Sequence, residues 1–391
     1  MQYFIGQTRF SVYTPKSTAW NISSYDEEKY LAHLYSDERL SLRASIFFEK
    51  SLPMLNEMKK DHLYTHIISY SSNLPQKWKN KLIEAKNKYN FIYLHEVDTA
   101  KSNPIHTILS EFGKDCSVAY FRLDDDDLLS TKYLDLLAAY NNKAFQNMAV
   151  SFGLGVVAHY TKEGYIDFRL CNKKFLAIGQ AYIGNYIDGR LSIPWGISHH
   201  DLEKKLPVIL DSREIVYLWT LHDTQDSNHR TVVDDASKIM SKYPILKLEN
   251  YDNGIFSCLN SELDYFFNKK PVFSISNLDL DENSTYIPLS ISENNKFDVE
   301  FKFSTSVEKR LSNSIVISFD FDENIEPDGL VGLNLSSNAN IKWYRYIGFK
   351  SGISDSSFNF TLKNINNLKG VKIILWNKEL KNVKLNKFNI Y

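Results

Sequence analysis

Four consecutive aspartates, Asp124, Asp125, Asp126 and Asp127, follow the apolar run Val118-Ala119-Tyr120-Phe121-Arg122-Leu123. Adjacent carboxylates repel one another, so a chain that sets them at the end of a buried segment must bring cations or hydrogen-bond donors close by. A divalent metal meets that need: hard oxygen ligands suit Mg²⁺ or Mn²⁺, and both ions commonly complete their shell with substrate phosphates. Such an ion, bridging the phosphates of a departing nucleoside diphosphate, would stabilise the developing charge as a Lewis acid. Two plainer readings compete, a solvated acidic loop and a calcium-binding turn. Leu128-Leu129-Ser130-Thr131-Lys132-Tyr133-Leu134 resumes an apolar pattern directly after the acids, which sets them at a strand-to-helix junction. An EF-hand is excluded, because its fixed glycine and distal glutamate are absent.

The flanking segments say what must hold these acids in place. Tyr3 to Val12 reads as a strand, and Asp26 to Lys60 as one or two amphipathic helices interrupted near Pro53. Thr65 to Tyr70 is a strand, Asn73-Leu74-Pro75 starts a helix over Gln76 to Tyr89, and Phe91 to Val97 is another strand. Ile105 to Phe112 is helical, Ser117 to Leu123 forms a short buried strand, and Lys132 to Tyr140 is helical. This alternation predicts an α/β fold with a mainly parallel, Rossmann-like sheet, whose ligands bind at the carboxyl ends of strands. From about Pro271 the grammar changes. Asp298 to Thr305, Ser314 to Asp322, Ser357 to Leu362, Val371 to Trp376 and Val383 to Tyr391 alternate with period two, which predicts an antiparallel all-β sandwich or jelly roll. The expected domains are therefore 1–260 and 271–391, with 245–270 holding a linker and a short helix.

Leu123 to Leu128 with Tyr133-Leu134 resembles the DxD segment of GT-A glycosyltransferases. That pattern makes Asp124 and Asp126 the working pair, although Asp125 with Asp127 fits the same run. The resemblance implies that Asp126 touches the metal, that Asp124 takes the ribose or a metal-bound water, that Asp127 orients the loop, and that Arg122 and Asp125 line the donor site. Arg9-Phe10, the segment Arg39 to Phe48 (RLSLRASIFF) and Arg122 to Asp127 together resemble a bacterial rhamnosyltransferase family. Such likeness stops near residue 260. It implies a metal-dependent transfer of sugar from a nucleoside-diphosphate donor, a UDP- or dTDP-sugar, to a glycan or lipid-linked glycan acceptor in bacterial surface polysaccharide synthesis (capsule or lipopolysaccharide). A carbohydrate-binding or assembly role is expected for the β-rich half.

In GT-A enzymes the end of the first strand binds the nucleotide base and ribose, which nominates Thr8 and Arg9; a surface turn is the plainer reading of both. Arg43 could reach the diphosphate, or could pair with Glu38 or Glu49 along its own helix. Ser69, near the end of its strand, is expected to line the same pocket. Pro194 to Asp201 (PWGISHHD) has the composition of an acceptor loop, and Asp201 is the expected general base, with Asp211 and Glu214 as rivals. His222 follows the apolar strand Ile215 to Leu221, and the resemblance implies a late histidine as a further metal ligand; a histidine bonded within a sheet edge competes. Asn228 and His229 close the same loop. His199 and His200 lack a spaced third ligand, so no structural zinc site is expected. Trp195 and Trp219 either stack on sugar or pack.

Composition narrows the classes. A chain of 391 residues favours two domains. With 46 Lys and Arg against 47 Asp and Glu, the net charge of −1 gives no global field for nucleic acid or an anionic membrane. Cys116, Cys171 and Cys258 are far apart and form no CxxC pair, which fits a reducing cytosol. The start, Met1-Gln2-Tyr3-Phe4-Ile5-Gly6, lacks the basic and apolar regions of a signal peptide, and no apolar run approaches the roughly 18 residues that span a bilayer. The expectation is a cytoplasmic protein, at most peripheral at the inner membrane face. Two rival classes remain. A sugar-phosphate nucleotidyltransferase would carry a glycine-rich phosphate loop, whereas Phe4 to Arg9 has a single glycine. A carbohydrate-binding or calcium-dependent adhesion protein leaves the βαβ half without a role.

Overall fold

Four segments, β1 (Gln2–Arg9), β2 (Tyr64–Tyr70), β3 (Ile92–Glu96) and β4 (Cys116–Arg122), form parallel strands in the order β3-β2-β1-β4. Three of them are near-continuous buried runs, as expected of parallel strands covered on both faces. The register pairs Arg9 with Ser69 and Gln7 with Arg122, so the carboxyl ends of β1, β2 and β4 open on one edge. The computed structural model describes residues 1–14, 26–98, 104–161, 164–194, 201–222, 239–240, 242–281, 284–338 and 341–391. Its chain divides into two compact units, Met1–Arg230 with Leu246–Asp264, and Thr231–Ile245 with Tyr265–Tyr391.

Beyond β4 the first unit departs from simple alternation. Its further strands are β5 (Leu128–Leu129), β6 (Ala149–Phe152), β7 (Leu154–Thr161), β8 (Gly164–Asn172), β9 (Ala181–Ile187), β10 (Arg190–Ser192), β11 (Val208–Asp211) and β12 (Tyr217–Leu221). The first sheet continues β4-β9-β6-β11, with β9 antiparallel to both neighbours and β11 parallel to β6. A second, four-stranded sheet runs β5-β12-β7-β8, and the sequence analysis did not foresee it.

Helices α1 (Glu27–Leu34), α2 (Asp37–Ala44) and α3 (Leu52–Lys59) cover the sheet beside β1. Asp26 caps α1 by accepting from the Lys29 N–H at 2.9 Å. The expected interruption near Pro53 is a widening rather than a break: a π-helical stretch, Ser45–Ser51, joins α2 to α3. Proline has no N–H to donate and crowds the carbonyl four residues back, and the wider turn accommodates both defects. Leu40, Ala44, Phe47, Leu55 and Met58 from this run pack with Phe4, Phe10 and Phe121 in one core. Arg39 and Arg43, four residues apart, share a different stripe of α2 and are both buried.

The second unit is antiparallel, as expected. Its two longest strands, Ser284–Ser304 and Ile353–Leu375, pair along most of their length with register shifts between Pro288 and Lys296, and these irregularities bend the pair. The last part of Ile353–Leu375 pairs with Leu311–Phe321, which pairs in turn with Trp343–Phe349, and the last part of Ser284–Ser304 pairs with Lys384–Ile390. The sheet thereby closes over its own inner face. Phe319 from Leu311–Phe321 lies 4.7 Å from Phe360 and 5.9 Å from Phe358, centroid to centroid, across the resulting core.

Candidate active site

β4 delivers the acids, and the Leu123 N–H extends its ladder by donating to the Gln7 carbonyl at 3.0 Å. Asp124 to Asp127 then turn, the Asp127 N–H reaching the Asp124 carbonyl at 3.4 Å, and β5 follows at once. β5 belongs to the other sheet, where Leu128 and Leu129 pair antiparallel with Leu218 and Tyr217 of β12. The acid turn is therefore the crossing point between two sheets. That crossing brings the end of β12 alongside it: the Thr220 N–H donates to Asp127 Oδ1 at 2.9 Å, and His222 Nε2 lies 3.0 Å from Asp126 Oδ2. Gly155 on β7 makes this possible, since a side chain there would run into the Tyr217 ring.

The required counter-charge comes from α2. Arg43 Nη1 contacts Asp125 Oδ1 and lies 3.1 Å from Asp126 Oδ2. Asp125 Oδ2 accepts from the Ser11 N–H at 3.2 Å. Ser11, just past β1, holds φ at 46°, a strained value for a residue with a side chain, and that conformation turns its N–H onto the acid. Its hydroxyl accepts from Arg39 Nη1 at 2.9 Å, and Arg39 also donates to the Leu34 carbonyl at 3.0 Å. Asp125, Asp126, Asp127, Arg39, Arg43 and His222 are all buried. Asp124 instead stands at the rim, 4.0 Å from Arg122, both side chains being 40% exposed.

Burial pushes the Asp125 carboxyl up, against the pull of Arg43, and Asp126 pushes it further. Asp127 is pushed well up by burial and by Asp126 and Asp124, with the Thr220 N–H opposing. The cluster is thus short of positive charge. His222 is lowered by burial, opposed by Asp126, so its imidazole is neutral at pH 7 and able to ligate a metal. Arg9 is lowered by burial and by the nearby Arg122, and two neighbouring guanidiniums at a strand edge favour an anion between them.

The donors present fit a divalent ion. Asp126 Oδ2 and His222 Nε2 are 3.0 Å apart, and adjacent ligand positions of an octahedron with bonds of roughly 2.1 Å lie about 3.0 Å apart. Among the described residues no three His, Cys, Asp or Glu side chains are arranged to hold a metal ion by themselves, so phosphate oxygens and water would complete such a shell.

Other residues nominated from sequence are placed as follows. Thr8 is wholly buried with its hydroxyl 2.9 Å from His66 Nε2, directed to a neighbouring strand. Ser69 accepts from Gln7 Nε2 at 2.8 Å and lies 3.2 Å from His95 Nδ1. Asp211 ends the edge strand β11, and Arg213 and Tyr140 engage both of its oxygens, Arg213 holding its carboxyl down to about 2. The structure does not bring it to the acids. Asp201 begins the short helix Leu202–Lys205 and accepts from Lys204 Nζ at 2.9 Å. Glu214 pairs with Lys132 at 3.3 Å, and Trp219 packs under Lys173 Nζ, 4.5 Å from its ring centroid. Trp195, His199, His200, Asn228 and His229 lie outside the described residues. Sequence reasoning missed Ser11, Arg39 and Thr220; only Arg39 left a signal, an arginine four residues before Arg43 and so on the same stripe of α2.

The model of one protein family matches residues 3–234, a span that includes every residue of this cluster. The chain belongs to the family described as "Putative rhamnosyl transferase". It is a glycosyltransferase, and its first sheet is the mainly parallel α/β sheet expected from the sequence, with the acid turn at the end of β4. No curated protein matches the chain. Among solved structures it is similar to S. aureus TarS 1–349 in complex with UDP-GlcNAc, with TM-score 0.28 and 10% identity, over 61% of this chain and 66% of that one. A second structure of S. aureus TarS aligns with TM-score 0.27 and 11% identity, over 94% of this chain and 72% of that one. HddC from Yersinia pseudotuberculosis aligns with TM-score 0.22 and 10% identity, over 56% of this chain and 90% of that one. Scores this low establish no shared activity.

The buried side of β1 and β2 has a pH signature of its own. His66, between Thr8 and Tyr64, is held by burial at about 3 against an ordinary 6.5. The unfolded glycosyltransferase therefore takes up this proton first, and the contribution of His66 to stability is lost progressively as pH drops from 6.5 to about 3. In urea unfolding, His66→Gln is expected to flatten that pH dependence; an unchanged dependence would show that folded His66 already carries the proton.

Proposed function

We propose that this glycosyltransferase moves a hexosyl unit from a UDP- or dTDP-sugar to a glycan or lipid-linked glycan acceptor in bacterial surface polysaccharide synthesis. The reading rests on Asp126 Oδ2, 3.0 Å from His222 Nε2 and 3.1 Å from Arg43 Nη1, in the turn after β4. A Mn²⁺ or Mg²⁺ held there by Asp126 and His222 would supply Lewis acidity to the leaving diphosphate. The remaining work falls to this chain. Arg9 and Arg122 bind phosphate oxygens at the strand edge, where a planar guanidinium fork suits two oxygens at once. Asp124, exposed beside Arg122, takes the ribose or a metal-bound water. Asp127, held by Thr220, fixes the turn and hence the direction of Asp126. Asp125 keeps Arg43 and the strand-end loop of Ser11 in place.

Asp201 is the proposed base that removes the acceptor hydroxyl proton. Asp211 suits that role less well, since a carboxyl held at about 2 accepts a proton poorly at neutral pH. Among the described residues no helix is long and apolar enough to cross a membrane, and we place the reaction in the cytoplasm, with any membrane contact peripheral.

A glycan-binding role for the second unit is supported by the outer face of its sheet. Tyr286, Lys372, Ser318 and Tyr344 lie opposite one another across successive strands, and Tyr346 stands 5.1 Å from Tyr344 and 6.1 Å from Trp376. Trp376 is 52% exposed and Tyr286 49%. Gly370 leaves the space that the Tyr286 ring fills. Exposed aromatic faces flanked by hydroxyls and an ammonium suit a sugar chain.

Two experiments test these assignments. With UDP- and dTDP-sugars and Mn²⁺, Asp126→Asn should lower donor turnover by about 100-fold or more while circular dichroism shows the fold retained; near-normal turnover would sink the assignment. In affinity electrophoresis through bacterial surface polysaccharide, Trp376→Ala should migrate faster than wild type at unchanged donor turnover. Equal mobility would remove the glycan-binding face.

A further inference from the structure

Asp126 Oδ2 is the oxygen that faces His222 Nε2, at 3.0 Å, and it is also the oxygen that Arg43 Nη1 holds, at 3.1 Å. A divalent ion ligated by Asp126 and His222 needs that oxygen, and a guanidinium and a dication cannot both crowd it without strong repulsion. Arg43 has a second anchor. Its Nη1 also contacts Asp125 Oδ1, while Asp125 Oδ2 is fixed by the Ser11 N–H at 3.2 Å. The guanidinium can therefore release Asp126 and stay on Asp125. Both acids and the arginine are buried, with side-chain exposures of 4%, 10% and 7%, so without any cation the cluster would hold uncompensated charge away from water.

We propose that Arg43 is a resident counter-cation, held on Asp125 and Asp126 until a divalent ion displaces it from Asp126, so that metal entry is an exchange of cations rather than an addition. This rests on the metal site proposed above. The guanidinium, still tethered to Asp125, then carries its positive charge beside the incoming diphosphate. The exchange makes metal binding weak until an anion arrives to reward the displaced arginine. Mn²⁺ and a nucleoside diphosphate consequently bind the glycosyltransferase in synergy, and either alone binds poorly.

The test uses the full chain and reads Mn²⁺ binding without nucleotide, by calorimetry or by the paramagnetic resonance signal of free Mn²⁺. Arg43→Met should bind Mn²⁺ about tenfold more tightly than wild type. Its metal-free Tm should fall, and Mn²⁺ should raise that Tm by more than it raises the wild-type value. Arg43→Lys keeps the charge and loses the fork; it should fold even if Arg43→Met does not, and should show a smaller gain in affinity. Asp126→Asn should remove the gain in either background. Wild-type or weaker Mn²⁺ affinity in both Arg43 variants, while wild type binds Mn²⁺ in the presence of UDP, would overturn the exchange and leave the metal site standing. Absence of Mn²⁺ binding in every form, with UDP or without, would remove the metal site and the exchange with it.

Discussion

Three carboxylates buried side by side at a strand end are the constraint around which the first unit is arranged. Each loses its hydration and each repels the others, a cost that hydrogen bonds alone do not offset. The neighbouring elements contribute what the acids need. α2 brings Arg43, the strained Ser11 turn after β1 brings a backbone N–H, and β12 brings the Thr220 N–H and the His222 ring. Removing one member of such a buried set typically costs about 3 to 5 kcal/mol, because the remainder is left uncompensated. A chain would hold so costly an arrangement for what it binds, and the shortage of positive charge that remains invites a cation and an anionic substrate.

The two-sheet architecture follows from the same requirement. Had the chain continued from the acids into a helix, as in a plain βαβ unit, nothing would place His222 beside Asp126. The two-residue strand β5 instead locks the acid turn onto β12, so that one carboxylate and one imidazole from opposite sheets meet at 3.0 Å. On the other side, the π-helical stretch lets α2 and α3 run on past Pro53, which keeps Arg39 and Arg43 on a stripe distinct from the apolar one that packs in the core.

Much of this was legible in the residues. The buried run into Asp124, the apolar strand before His222 and the period-two strands of the second unit all carry strong local patterns, and each element formed where its pattern lies. What stayed hidden depends on contacts between distant segments. A two-residue strand such as Leu128–Leu129 has no period to read, so the second sheet was invisible. Arg43 had acidic neighbours on its own helix, and nothing local favours Asp125, 82 positions away. Ser11 shows no sign of its left-handed backbone, because serine there is set by the acid it must reach. Thr8 falls at the carboxyl end of β1, where a nucleotide-facing residue would lie, yet the adjacent strand offers it His66.

The acid turn is proposed as the place where a metal and a nucleoside diphosphate bind together. The most direct measurement is calorimetric titration of UDP and dTDP into the full chain with Mn²⁺ and again with a chelator. Binding that requires Mn²⁺, weakening by about tenfold or more in the chelator, is the predicted result. Equal affinity in the two conditions would contradict the account.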